Sequence, residues 1–441
     1  MCPNLAEIRL SGSRLSSIKF QRTVYSDDLL LDTTIDFLCK GSPNLKKLCI
    51  TEADLLESPP HVTDAAVHSI VLNCPYIEVL SLADWTGVTD QSIAGLTGLR
   101  CLQEIDLSNC TKLASAAVQE LIKANRSLEA ITLSDFYLYK GGLATVISNA
   151  LLRCIGHHCP NLIKLQLNMY TTADDSDATA ASFEAMIKGL PSLVDLHICD
   201  YDKPKTILPT LGMYCKSLKC IFFNSVQCTD DDLISMCQGC PLIESIRLYL
   251  NSITDISIYA LASSCPMLKE LNITLVHITD QSLRTLFATC TQLTSVALSG
   301  LPHITDKSIL TLLRYCTHLT SLSVIANLGL TDYRIQAIPT YCPLLQRLSL
   351  DHIPTLSHET IIQISKYCTY IQTLGLLNCI QINNDTVVTI LKNCKNLINI
   401  NISSDSLYIN DVFKHQCNEL TSKRKYRNLR LTYYKTSLRS A

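Results

Sequence analysis

Cys240-Pro-Leu-Ile-Glu-Ser-Ile-Arg-Leu248 is answered one period later by Cys265-Pro-Met-Leu-Lys-Glu-Leu-Asn-Ile273, and again by Cys290-Thr-Gln-Leu-Thr-Ser-Val-Ala-Leu298. Each copy has a Cys, an aliphatic residue three positions on, and then an apolar pair spaced by one. The cysteines at 215, 240, 265, 290, 316, 342, 368 and 394 are separated by 25, 25, 25, 26, 26, 26 and 26 residues. A fixed period between twenty and fifty residues marks a solenoid, in which each repeat packs on its neighbours.

The strand half of the unit recurs along the whole chain. It appears as Leu45-Lys-Lys-Leu-Cys-Ile50, Ile77-Glu-Val-Leu-Ser-Leu82, Leu162-Ile-Lys-Leu-Gln-Leu167 and Leu397-Ile-Asn-Ile-Asn-Ile402, among others. Side chains alternate faces along a strand, so the Leu positions point into the core and the intervening ones point out. About ten residues later comes a second signal, as in Ile253-Thr-Asp255, Ile278-Thr-Asp280 and Ile304-Thr-Asp306. Thr or Asp just before an apolar-periodic run reads as a helix N-cap. Each unit is therefore strand, loop, capped helix, loop. The expected fold is an α/β solenoid, a curved horseshoe with a parallel β-sheet on the concave face and helices on the convex face.

The solenoid is expected over residues 1–420, with about fifteen repeats that are irregular before residue 215, followed by a basic cap or tail at 421–441. Cys2-Pro-Asn-Leu-Ala-Glu-Ile-Arg-Leu10 reads as the strand half of a unit whose helix would lie upstream, which suggests a missing N-terminal segment. Between Asn125 and Cys159 the interval lengthens to 34 residues, and between Cys159 and Leu190 it is 31. The extra residues surround Phe136–Gly142 and Thr171–Asp177, each just after a strand. Insertions in repeat proteins map to loops on one face, often the binding face; drift of a surface loop accounts for them as well. Tyr426-Arg-Asn-Leu-Arg-Leu431 reads as a final strand closing the sheet. It overlaps the tail, where seven Lys or Arg and no acid lie between 423 and 439.

Composition narrows the function. A net charge of −2 gives no general attraction to nucleic acid or anionic membrane. The sequence has neither a stretch long and apolar enough to span a bilayer nor a signal-peptide pattern at its start. Neither a membrane nor a nucleic-acid partner is therefore expected. Ten or more of the 22 cysteines fall on the repeat ladder. There a thiol behaves as a small apolar residue, and the even spacing offers no alternating pairs for disulfides. A reducing compartment, cytoplasm or nucleus, is expected.

The combination of Leu-x-x-Leu-x-Leu, Ile-Thr-Asp and a closing Cys-Pro-x-Leu resembles the cysteine-containing leucine-rich repeat of F-box/leucine-rich-repeat proteins and of related antagonists of mitotic exit. In that family the repeats recruit a protein substrate, while an N-terminal F-box docks onto a Skp-type adaptor of a cullin ubiquitin ligase. The resemblance implies a role in ubiquitin-dependent protein degradation. No stretch of this sequence matches an F-box, so adaptor and cullin binding would need an F-box upstream. The alternative is a standalone scaffold or regulator without a ligase.

No catalytic constellation stands out, and no enzyme, cofactor or metal is expected. Cys237-Gln-Gly-Cys240 is a lone Cys-x-x-Cys whose second member belongs to the ladder. His157 and His158 fall where a helix should end. Protein recognition remains, on the outward strand positions. The candidate partner-binding residues are Lys164, Gln166, Asp195, His197, Phe222, Asn224, Arg247, Tyr249, Glu270, Arg347 and Asp351. Arg and Tyr are favoured anchors in interfaces. From Ser295 to Ser323 the same face is small and neutral.

Overall fold

The computed structural model describes residues 7–11, 28–51, 62–133, 147–168, 179–199, 207–224, 228–249, 252–274, 277–327, 329–379, 381–403 and 430–434. The inserted segments with Tyr137, Tyr139 and Tyr170, together with Tyr201, Pro59-Pro60 and most of the basic tail, lie outside these residues. The chain divides into two compact units, Met1–Ser225 and Val226–Ala441.

In the first unit the strands are β1 (Glu7–Ser11), β2 (Lys47–Thr51), β3 (Val79–Ser81), β4 (Glu104–Asp106), β5 (Ala130–Leu133), β6 (Lys164–Asn168), β7 (Asp195–Cys199) and β8 (Cys220–Asn224). Each pairs in parallel with the next in chain order. The second unit repeats the plan with β9 (Ser245–Tyr249), β10 (Glu270–Thr274), β11 (Ser295–Ser299), β12 (Ser321–Ile325), β13 (Arg347–Ser349), β14 (Thr373–Leu376), β15 (Asn399–Ser403) and β16 (Arg430–Tyr434). Within each unit a helix separates successive strands throughout the described residues, save between β15 and β16, where the connecting residues are not described. The fold is an α/β repeat solenoid.

Register explains how the core forms. Ile246, Leu271, Val296 and Leu322 stand opposite one another on consecutive strands. All four are almost fully buried. Burying one such side chain contributes about 1.5–3 kcal/mol, and the file extends with every unit. Helix–strand turns are equally uniform. At Cys265 the backbone leaves the helix, its N–H donating to the Leu261 carbonyl at 2.9 Å. The Cys265 carbonyl then accepts the Leu268 N–H at 3.3 Å. A compact apolar side chain suits that position, because the next unit packs directly on it; Cys fills it in the regular units and Leu fills it at 99 and 190. Cys290 Sγ lies 3.5 Å from the Cys265 carbonyl oxygen, and Cys316 Sγ lies 3.7 Å from that of Cys290. Burial pushes the thiols of Cys290, Cys316 and Cys368 up to about 12, which keeps them protonated donors. All described cysteines are free thiols.

The Thr-Asp pairs behave differently from the expectation that either residue caps its own helix. Thr is the cap: the hydroxyls of Thr254 and Thr279 accept the N–H groups of Ile256 and Gln281. Asp is the first helical residue, and its carboxylate reaches the following repeat. Asp230 accepts from the Thr254 N–H at 2.9 Å and its hydroxyl at 2.8 Å. Asp255, Asp280 and Asp306 do the same for Thr279, Thr305 and Thr331. Ser257, Ser282 and Ser308 add a second hydroxyl to the carboxylate of the preceding repeat. Asp332 continues the series to Ser357, after which His358 stands at the acidic position. The sequence carried the signal as Thr-Asp-x-Ser, but the partner lies about a whole repeat away.

Two further elements depart from the sequence reading. The helix after Thr331 is broken into Asp332–Ile335 and Ile338–Tyr341, with Pro339 in the first turn of the second piece. The last strand runs from Arg430 to Tyr434, and Leu431 stands opposite Ile400. The pattern placed Leu429 there. A slip of two residues keeps the same face inward, so alternation alone cannot fix it.

Candidate recognition surface

Outward strand positions form rows that run across the strands. In the first unit Lys164, Asp195 and Cys220 make one row, and Gln166, His197 and Phe222 make the next. All six are half-buried. Lys164 Nζ approaches an Asp195 carboxylate oxygen at 3.5 Å, and His197 Nε2 lies 3.0 Å from the other oxygen. With its proton on Nε2, His197 donates to Asp195; with it on Nδ1 the buried Oδ1 would have no donor. That asymmetry favours the proton on Nε2. Burial by itself raises the Asp195 carboxyl, but the His197 hydrogen bond and charge, with Lys164 beside it, outweigh this and hold it below its ordinary value. The Phe222 ring meets His197 edge-on, with centroids 5.7 Å apart. Four of the candidate residues are thereby coupled into one cluster. Asn224 closes β8, and its side chain lies outside the described residues.

The second unit carries its own charged end. Ser245, Glu270, Ser295, Ser321 and Arg347 form one row; Arg247, Asn272, Ala297, Ser323 and Ser349 form another. Arg247 Nη2 lies 3.1 Å from Glu270 Oε2, and the Ser245 hydroxyl donates to the same oxygen at 3.0 Å. Asn272 donates to the Tyr249 hydroxyl at 3.2 Å. Arg247, Tyr249 and Glu270 are thus brought together, with Ser245 and Asn272 as supports. Arg347 stands apart from them, donating through Nε to Ser321 at 3.3 Å. Both arginines remain exposed.

Asp351 does not belong to the surface. β13 ends at Ser349, and Asp351 is only 8% exposed. It accepts the Leu377 N–H at 2.7 Å and the Ser349 hydroxyl at 2.6 Å, which ties two repeat loops together. Gly375 leaves room for it, since a Cβ there would sit 2.9 Å from both carboxylate oxygens. The alternation rule placed Asp351 outward, but the chain turns at His352, whose φ is 61°.

Among the described residues no group of three or more His, Cys, Asp or Glu side chains could hold a metal ion, and no helix is long and apolar enough to cross a membrane. The thiols of Cys237 and Cys240 are buried in the repeat core. His157 and His158 end their helix in edge-to-face contact, with ring centroids 4.7 Å apart.

No family model matches the chain. Its fold is similar to a chain in the crystal structure of the Rad7 and Elc1 complex in yeast. The TM-score is 0.53 at 15% sequence identity, covering 91% of this chain and 83% of that one.

Proposed function

We propose that this protein is a non-catalytic recognition module, and that it selects protein substrates for a Skp–cullin-type ubiquitin ligase in the cytoplasm or nucleus. The observation that carries the recognition reading is the outward face of the strands. There, charged and aromatic side chains are held in fixed geometry: Asp195 with His197 and Lys164, and Arg247 with Glu270. Pre-oriented Arg, Tyr and His on a rigid sheet bind a partner with little loss of side-chain freedom. The ligase reading is supported by the resemblance of the repeats to those of F-box/leucine-rich-repeat proteins and by a fold similar to a chain crystallised in the Rad7–Elc1 complex. Affinity purification from cells, with and without proteasome inhibition, tests it. A Skp-type adaptor and cullin should co-purify, and at least one bound protein should accumulate when the proteasome is blocked. Partners that bind without adaptor, cullin or accumulation would instead identify a scaffold or regulator.

A further inference from the structure

In the second unit the turns that lead from helix to strand are lined by large exposed apolar side chains. Tyr315 and Tyr367 are the last residues of their helices, Leu344 and Tyr370 follow the ladder cysteines, and Ile398 immediately precedes β15. They are 52%, 55%, 51%, 53% and 44% exposed, respectively. Because the repeats stack in register, these turns lie side by side along one edge of the unit. Scattered surface hydrophobics need no explanation, but their recurrence in the helix–strand turns of four consecutive repeats, with Leu344 and Tyr370 at equivalent positions, does.

The charge on that edge is one-sided. Arg314, Lys366, Lys392 and Lys395 are exposed in the same turns. The stretches 313–321, 339–347, 365–373 and 391–399 contain no Asp or Glu. Among the described residues no salt bridge reaches these four basic groups, whereas Lys269, two repeats before this edge, is paired with Glu244 at 2.6 Å. Lys366 lies over the Tyr367 ring, 5.3 Å from its centroid. Basic residues in a last turn also complement a helix dipole. That leaves the exposed rings and the two aliphatic side chains unexplained.

We infer that this edge is a docking surface, separate from the outward strand rows, for an acidic segment of a partner protein that carries aliphatic or aromatic side chains. Carboxylates of the segment would pair with the basic groups, and its apolar side chains would cover the tyrosines, Leu344 and Ile398. Helix ends on this edge present carbonyl acceptors, which a peptide N–H can meet and a phosphate cannot. A peptide therefore fits the edge better than a nucleic acid.

A displayed library of random twelve-residue peptides is the probe, selected on the full chain and compared across three variants. The inference expects recovered peptides rich in Asp and Glu with at least one large apolar residue. Their binding should fall about tenfold or more on Arg314→Glu with Lys366→Glu, and also on Tyr367→Ser with Tyr370→Ser. It should be unchanged by Arg247→Ala with Tyr249→Ala. All substituted positions are at the surface, so unaltered thermal unfolding shows that each variant is folded. Recovery of no peptide that depends on the edge would overturn the inference. So would edge-dependent peptides of basic or neutral composition, or a single-stranded oligothymidylate that binds and is lost on the charge reversal.

Discussion

Asp255 accepts two hydrogen bonds from Thr279, one from its main-chain N–H and one from its hydroxyl, both at 2.7 Å. The same relationship joins Asp230 to Thr254 and Asp280 to Thr305. The helix starts of neighbouring repeats are thereby linked by a ladder of charge-assisted bonds. In a solenoid, stability is set by such nearest-neighbour terms. Asp255→Ala should lower the free energy of unfolding by about 1–3 kcal/mol, because Thr279 and Ser282 lose a charged acceptor. The loss should concentrate next to the cut, so hydrogen exchange should speed up for the helix Asp280–Thr289 more than for His358–Tyr367. Uniform acceleration would argue against a local ladder.

Acid should dissolve this ladder. Burial raises the carboxyls of Asp64, Asp230, Asp255 and Asp280, but donated Ser, Thr and backbone hydrogen bonds outweigh it and the net shift is downward. A folded-state value below the unfolded one means stability that is present above the unfolded pKa of about 4 and lost as pH falls through the depressed folded values. Denaturant midpoints should hold between pH 7 and 5 and drop steeply below about pH 4. Asp255→Asn should flatten that drop; an unchanged slope would remove the residue from the explanation.

One position of the Cys ladder is occupied by Asn125, which is 2% exposed and whose Oδ1 has no hydrogen-bond partner among the described residues. Its amide nitrogen donates to the Leu121 carbonyl at 3.0 Å. An orphaned buried acceptor costs about 1–3 kcal/mol. Asn125→Cys should therefore raise stability by about 1 kcal/mol, read as a higher denaturant midpoint with an unchanged slope. A lower midpoint would show that the amide has a structural role the thiol cannot fill.

The ladder thiols should be chemically silent. Burial holds Cys290, Cys316 and Cys368 at about 12, so at neutral pH they present no thiolate. Cys101 is exposed. Brief treatment of the native protein with a maleimide, followed by peptide mass analysis, should find Cys101 modified and these three intact. Denaturation should expose all of them. Rapid modification of Cys316 in the native state would contradict the packing described.

The repeat period was legible because one buried position is Cys in every unit from 215 to 394, and its 25–26 residue spacing survives wherever the units are regular. Strand phase followed from it even at β1, where Ile8 and Leu10 stand opposite Leu48 and Ile50. What escaped were interactions between repeats. The carboxylate of Asp255 has its partners 24 and 27 residues downstream, and a local reading spent it on its own helix. Asp351 escaped because alternation was carried past the strand's end into a turn with positive φ at His352. Of the candidate surface, the coupling of Asp195 to His197 lies within one strand and could have been read. Pairs such as Arg247 with Glu270 needed the register of neighbouring strands.

Capture of partners from cell extract by the 441-residue chain tests recognition through the outward strand face. The native chain should be compared with Asp195→Ala/His197→Ala and with Arg247→Ala/Tyr249→Ala. The Arg247–Glu270 pair is exposed and contributes at most about 1 kcal/mol to folding, so the second variant should remain folded. At least one partner should bind the native chain and be lost from one of the two folded variants. Identical partners at identical yield for all three proteins would contradict it.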